Sequence, residues 1–204
     1  LREDRLETDE HDRNSQHCLL HTEDETHEPV GCTRVVMTDP DDRSQPLPFE
    51  ITCAATLDRS IIDPAAQPRE RIGEVSRLAV RRHFRRRKGE ENGSVSIQND
   101  DFGKPGQTRF PYIPVSLYLG AIALAERNGL DTLFVLTEPR LATHFARLGV
   151  DIRQIGGPVS HRGVRIPSML KVREVIDDMR PTLRPLWTVV RDEIAQSFVA
   201  GDPR

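Results

Sequence analysis

Ile72-Gly-Glu-Val-Ser-Arg-Leu-Ala-Val80, with the basic run Arg81-Arg-His-Phe-Arg-Arg-Arg-Lys88 directly behind it, is the stretch on which the fold turns. Its first half reads as a central strand: Val75, Leu78, Ala79 and Val80 are apolar, and the only charges are Glu74 and Arg77. Strict alternation places Glu74 and Ser76 on one face and Arg77 on the other. A single β-bulge reverses that parity, so that Glu74 and Arg77 point into one cleft. From Ile72 to Lys88, seven arginines and lysines stand against the single acid Glu74. A buried strand ending in a cationic turn suits a polar ligand carrying phosphate, or an acidic partner. An edge strand followed by a solvated basic turn gives the same pattern, and both readings stand on these residues alone.

Toward the N-terminus, Pro29 to Thr38 and His17 to His21 read as two strands of a hairpin, with Glu23 to Glu28 as its polar turn. In Val30-Gly-Cys-Thr-Arg-Val-Val-Met37, alternation puts Arg34 on the face of Val30, Cys32 and Val36. A guanidinium on an apolar face needs a carboxylate, because burying its charge alone is costly. Glu74, Asp9 and Asp12 are the candidates. Asp9 and Asp12 lie three residues apart, so one turn aims both inward; the alternative is an exposed acidic loop. Asp39 to Pro48 is a Pro/Asp-rich loop, Phe49 to Asp58 fits strand or helix, and Ser60 to Arg71 is an irregular connection.

Beyond Lys88, the polar stretch 89–109 contains four glycines and reads as a mobile insertion. The pattern then changes. Pro111 to Arg127 is a buried helix closed by Asn128-Gly129. Leu133-Phe-Val-Leu136 is an interior strand, Pro139 opens a helix that runs to Leu148, and Val150 to Ile155 is a further strand. Val172 to Met179 and Leu186 to Ala200 are amphipathic helices, with Trp187 as a packing anchor. Helices and strands in this order define an α/β domain with a mixed sheet.

Composition bounds the rest. Charged residues make up 30% and hydrophobic residues 36% of the 204, with a net charge of -3, which argues against a general nucleic-acid binder. Val115 to Ala125, the longest apolar stretch, is too short to span a bilayer. No hydrophobic signal region opens the chain, so a cytoplasmic location is expected. The chain opens on Leu1 rather than methionine, which suggests a segment ahead of it. Three cysteines without a CxxC pair, and seven histidines without HExxH, argue against an ordinary zinc site or disulfide framework.

The order of strand, bulge, basic turn, helix, strand, helix and strand resembles the GNAT acyltransferase fold. Glu7-Thr-Asp9-Glu-His-Asp12, Gly31-Cys-Thr-Arg34 and Glu74-Val-Ser-Arg77 are similar to the three motifs of acyl-homoserine-lactone autoinducer synthases. Ser76 to Val80 running into Phe84 to Arg87, Phe110-Pro-Tyr-Ile113, Glu138-Pro139-Arg140-Leu141, Phe145 to Gly149, Ile155-Gly156 and His161 to Pro167 resemble the PEP-CTERM/exosortase-associated acyltransferases, relatives of N-acyl amino acid synthases. The resemblance covers roughly residues 6 to 170. It implies a twisted, mostly antiparallel mixed sheet flanked by helices over residues 1–170, with 171–204 as a C-terminal helical extension. It implies catalytic roles for Glu74, Arg77 and Arg34, and an acceptor side at Asp9, Asp12 and Ser76. The donor side falls on Leu78, Ala79 and Val80, where a pantetheine arm pairs with the strand edge, and on Arg85, Arg86 and Arg87. The segment these families carry ahead of the acidic pair does not appear here, and Arg82 to Lys88 replaces their glycine-rich pyrophosphate loop. That replacement argues against ordinary acetyl-CoA recognition and keeps acyl carrier protein as a donor.

The expected activity is N-acyl transfer from an acyl carrier protein or CoA thioester to an amine such as an amino acid, with a long acyl chain and no bound cofactor or metal. Glu74 accepts the amine's proton, directly or through water. Backbone N–H groups near Arg77 to Ala79 hold the oxyanion. Arg34 and Arg77 either lock the acids in place or bind the acceptor's carboxylate. The basic run docks an acidic carrier protein or its phosphate, binds nucleic acid, or is a solvated turn. Two other functions stay open: a catalytically inactive acyl-ligand binder of the same fold, and a nucleic-acid-binding regulator using residues 81–88. Contact with a lipid product would be transient.

Overall fold

A computed structural model describes residues 8–85, 112–138, 145 and 150–200. Seven strands form one sheet: β1 (Ser15–His21), β2 (Pro29–Met37), β3 (Ile72–Val80), β4 (Thr132–Thr137), β5 (Arg153–Gln154), β6 (Val159–Ser160) and β7 (Val164–Lys171). Their order is β1-β2-β3-β4-β7-β5, with β6 also pairing β7. Every ladder is antiparallel except β3 with β4.

The alternation in β2 settles both faces of the sheet. Val35 packs against helix α3 (Tyr112–Arg127), together with Leu119, Ile122, Leu133, Leu170 and Trp187. Val36 faces the other side and joins Phe49, Ile72, Phe134 and Ile155. Apolar residues run almost continuously along α3 because the helix is buried nearly all round. It ends at Gly129, whose φ of 67° suits a residue without Cβ. Helices α4 (Val172–Asp177) and α5 (Arg184–Ala200) pack on the α3 side, and Trp187 anchors them in the shared core.

Helix α1 (Pro48–Thr52) lies on the opposite face and resolves the ambiguity of Phe49 to Asp58 in favour of a single helical turn followed by bends. Phe49 is fully buried and stacks on Phe134 with 4.4 Å between ring centroids. That burial is worth on the order of 2–3 kcal/mol and fixes the backbone of α1. Buried Glu50 pairs with half-buried Arg69 at 2.9 Å. Arg69 also donates to the carbonyls of Arg43, Gln45 and Pro64, which ties the loop ahead of α1 to the chain entering β3.

Two sequence expectations need correction. Val150 to Ile155 forms a strand only at Arg153–Gln154. Val164–Lys171, not expected as a strand, is the eight-residue β7 that pairs with β4, β5 and β6. Pro167 in its middle argues against an interior strand. Its carbonyl, the backbone polar group a proline keeps, accepts from the Ile155 N–H at 2.9 Å. The polar insertion at 89–109 and most of the helix expected from Pro139 to Leu148 lie outside the described residues. No described helix is long and apolar enough to cross a membrane.

Candidate active site

The expected bulge is present in β3. Cys32 pairs with Ala79 and Arg34 with Ser76, so three steps along β3 oppose two along β2. The extra residue is Arg77, in the left-handed region at φ 51°. Glu74, Ser76 and Arg77 consequently share a side of the sheet, which simple alternation would not allow.

Beside the bulge, the sheet comes apart. Pairing between β3 and β4 runs from Ile72↔Thr132 to Val75↔Val135 and goes no further among the described residues. A cleft of about 340 Å³ opens there. Asp9, Arg34, Ser76 and Arg77 line one side, Glu74, Val75 and Val135 the floor, and Glu138, His161, Arg162 and Arg165 the side of β4, β6 and β7.

Arg34 sits at the centre of the first wall, with its side chain only 4% exposed. Its Nε donates to Ser76 Oγ at 2.9 Å, and its Nη1 donates to Asp9 Oδ1 at 2.8 Å and Asp12 Oδ1 at 2.6 Å. Arg77 reaches the same acids, at 3.0 Å to Asp12 and 2.9 Å to Asp9. A 3-10 turn over Glu10–Asn14 presents them: the Asp9 N–H donates to Asp12 Oδ2, and Asp9 Oδ1 accepts from the His11 N–H. Partial burial works against ionisation of Asp12, yet the Asp9 N–H and the two guanidiniums hold its carboxyl down at about 2. Asp9 is lowered as well, by Arg34 and Arg77 against the same penalty. His17 Nε2 lies 3.5 Å from Asp12 Oδ1. The guanidiniums of Arg34 and Arg77 thus both pair with Asp9 and Asp12. Ser76, expected on the acceptor side, accepts from Arg34 through its hydroxyl.

Glu74 is outside that ion-pair cluster. It is 4% exposed, and its Oε2 accepts the Phe49 N–H at 2.7 Å. Burial pushes its carboxyl up to about 8, opposed by the Phe49 N–H and the field of Arg34 and reinforced by Glu50 and Asp9. A buried carboxyl that titrates near neutrality can exchange a proton with a reacting group.

Of the residues expected on the donor side, Ala79 and Val80 pair with β2 while Leu78 lines the cleft. The edge of Ser76–Val80 that faces away from β2 has no described strand against it. The basic run starts as helix α2 (Arg82–Arg85), and Arg81 pairs with Glu28 at 2.6 Å. Arg86 and Arg87 lie outside the described residues, as does the side chain of Arg85. Cys32 donates its S–H toward the Arg77 carbonyl at 3.5 Å.

Residue-by-residue reasoning missed the opposite wall. Arg165 Nη1 donates to Glu138 Oε1 at 2.8 Å, and its side chain is 12% exposed. The His161–Pro167 segment carries these groups into the cleft. Two features pointed there: a polar cluster in a hairpin, and the acid Glu138 at the end of an interior strand.

The seven-stranded sheet flanked by helices has the GNAT-like fold of the similar solved structures. Residues 1–92 match the family model described as an acetyltransferase (GNAT) domain. Among solved structures, the chain is similar to BjaI, a CoA-dependent acyl-homoserine lactone synthase solved with SAM and isopentyl-CoA. The TM-score is 0.55 at 16% identity, over 96% of this chain and 72% of that one. MesI, another CoA-dependent acyl-homoserine lactone synthase, gives 0.53 at 19% identity, over 91% and 76%. FeeM, an N-acyl amino acid synthase from uncultured soil microbes, gives 0.51 at 16% identity, over 82% and 78%. No curated protein matches the sequence.

Proposed function

We propose that the protein is an N-acyltransferase that moves an acyl group from a carrier-protein or CoA thioester to an amine, such as that of an amino acid. The observation that carries this reading is Glu74: a buried carboxyl, raised to about 8, on the floor of a cleft where two strands part. The thioester lies along the unpaired edge of Leu78, Ala79 and Val80, with backbone N–H groups at Arg77 to Ala79 facing the developing oxyanion. An α-amino group has a pKa near ~8, so Glu74 is matched to its proton. The amine nitrogen bonds to the thioester carbonyl carbon. The carbon–sulfur bond then breaks, and the proton passes through Glu74 to the departing thiolate. Arg34, Arg77, Asp9 and Asp12 act by shaping the wall against which the acceptor rests.

The similar structures, BjaI solved with SAM and isopentyl-CoA and FeeM described as an N-acyl amino acid synthase, support an amine acceptor. The motif order supports kinship with the exosortase-associated acyltransferases. The charge of the basic run at residues 81–88 supports docking of an acidic carrier protein. The test is mass spectrometry of lipid extracts from hosts overexpressing the wild type or Glu74→Gln. N-acylated amines present in the first and absent in the second support the reading. Identical extracts, together with donor binding but no turnover, leave an inactive acyl-ligand binder.

A further inference from the structure

Two buried carboxyls bond to the same turn of backbone. Glu74 accepts the Phe49 N–H and Glu50 accepts the Leu47 N–H, two residues earlier, each at 2.7 Å. They are 4% and 7% exposed. Only Glu74 is among the residues that line the cleft. The acyl-transfer chemistry gives Glu50 no role.

The two carboxyls differ in what stands beside them. Arg69 lies 2.9 Å from Glu50, with its side chain 11% exposed. Backbone fixes it there: Nε, Nη1 and Nη2 donate to the carbonyls of Arg43, Pro64 and Gln45 at 3.2, 3.2 and 2.7 Å. Its own carbonyl accepts from Thr38 Oγ1 at 2.7 Å. Glu74 makes no ion pair among the described residues; Arg34 and Arg77 beside it are paired with Asp9 and Asp12. The other titratable or charged groups around Glu74 are Cys53, just past α1, and Glu138, His161, Arg162 and Arg165 on the far wall. Of all these groups, Glu50 alone shares a turn of backbone with it. When like charges compete in one buried place, the member with a cation stays ionised and the other keeps the proton.

We infer that Glu50 and Arg69 are positioning residues for the reaction: Arg69 holds Glu50 ionised, and that fixed negative charge directs the proton of the two carboxyls onto Glu74. The proton is thereby kept on the carboxyl that a substrate in the cleft can reach. Burial first, and then the charges of Glu50 and Asp9, push the Glu74 carboxyl up, in line with this division. The inference rests on Glu74 being the base of the acyl-transfer reading, but the place of the proton can be measured without turnover.

The experiment follows the carboxyl carbon NMR signals of protein labelled in its glutamates as pH is raised from 4.5 to 9. Glu50 and Glu74 are assigned by the signals lost in Glu50→Gln and Glu74→Gln. Glu50→Gln keeps an oxygen for the Leu47 N–H but removes the charge and frees that of Arg69, so the Glu74 midpoint should fall by about one pH unit or more. In Arg69→Met, Glu50 should take up a proton near neutrality, and the two carboxyls should titrate as a coupled pair. Arg69→Lys keeps the cation and should leave the Glu74 midpoint close to that of the wild type. Together with Glu50→Gln it carries the test if Arg69→Met does not fold. Acylation of L-leucine by decanoyl-CoA over the same pH range should show the acid limb of kcat/KM moving to lower pH in Glu50→Gln, in step with the midpoint. A Glu74 midpoint unmoved in folded Glu50→Gln would mean that the pair only braces α1, and would overturn the inference while leaving acyl transfer standing. So would an acid limb that stays in place when the midpoint moves. The expected shifts in a protein that acylates nothing would uphold the division of the proton and remove the acyl-transfer reading.

Discussion

Replacing Glu74 by glutamine should make the protein more stable while disabling it, and the size of the gain should depend on pH. Glu74 is 4% exposed, and its carboxyl stands at about 8 rather than 4.5. Between those values the folded chain keeps a proton that the unfolded chain has released. Stability therefore falls as pH rises through the window and levels off above it. At 1.36 kcal/mol per pH unit, the ionised form costs the fold about 3 kcal/mol at pH 7 and about 5 kcal/mol above pH 8. Glutamine has no proton to lose, and its carbonyl oxygen can still accept the Phe49 N–H, now made at 2.7 Å. Urea unfolding of both proteins at pH 4.5, 7 and 8.5 measures the difference, with all other titrating groups cancelling. The variant should match the wild type at the lowest pH and exceed it by growing amounts at the other two. Parallel stability curves would refute the raised carboxyl and with it the choice of base. In acyl transfer the same substitution should lower kcat by about 10²–10⁴-fold.

The Asp9–Asp12–Arg34–Arg77 cluster predicts strong coupling: Asp12→Asn and Arg34→Met should each cost about 3 kcal/mol in thermal unfolding, and the double variant less than their sum. Additive losses would mean that the contact carries no energy. Arg69→Met leaves Glu50 buried without its partner and should cost roughly 3–5 kcal/mol. It should also lower activity by loosening the Phe49 amide beneath Glu74, which kcat measured on the folded fraction would reveal. Reversing the charges of Arg82 and Arg85 should raise KM for a carrier-protein thioester much more than for a CoA thioester; equal losses would remove the docking role of the basic run.

The placement of the site was legible where charge conflicts with apolar patterning. Arg34 on a buried face demands acids, and Asp9 and Asp12 supply them across 22 to 25 positions. Arg77, one place out of alternation with Glu74, demands a bulge, and its φ of 51° provides it. What stayed illegible depends on backbone groups. The partner of Glu74 is the Phe49 amide, which no side-chain pattern advertises. Strand β7 was hidden by Pro167, a residue type that argues against an interior strand. The division of labour among the four cleft arginines also needed coordinates, because one residue type serves both to lock acids and to line the opposite wall.

The sheet is, mechanically, a book with a short spine. One leaf is β1 to β3 and the other β4 to β7, and among the described residues only the four pairs from Ile72↔Thr132 to Val75↔Val135 bind them edge to edge. Helix α3 braces both leaves from behind, through Val35 on one and Leu133 and Leu170 on the other. Anything wedged at the open end works first on those four pairs, because elsewhere the leaves meet through side-chain packing on the two faces. Hydrogen exchange at the spine amides should therefore register a ligand several residues away, before any side chain there touches it.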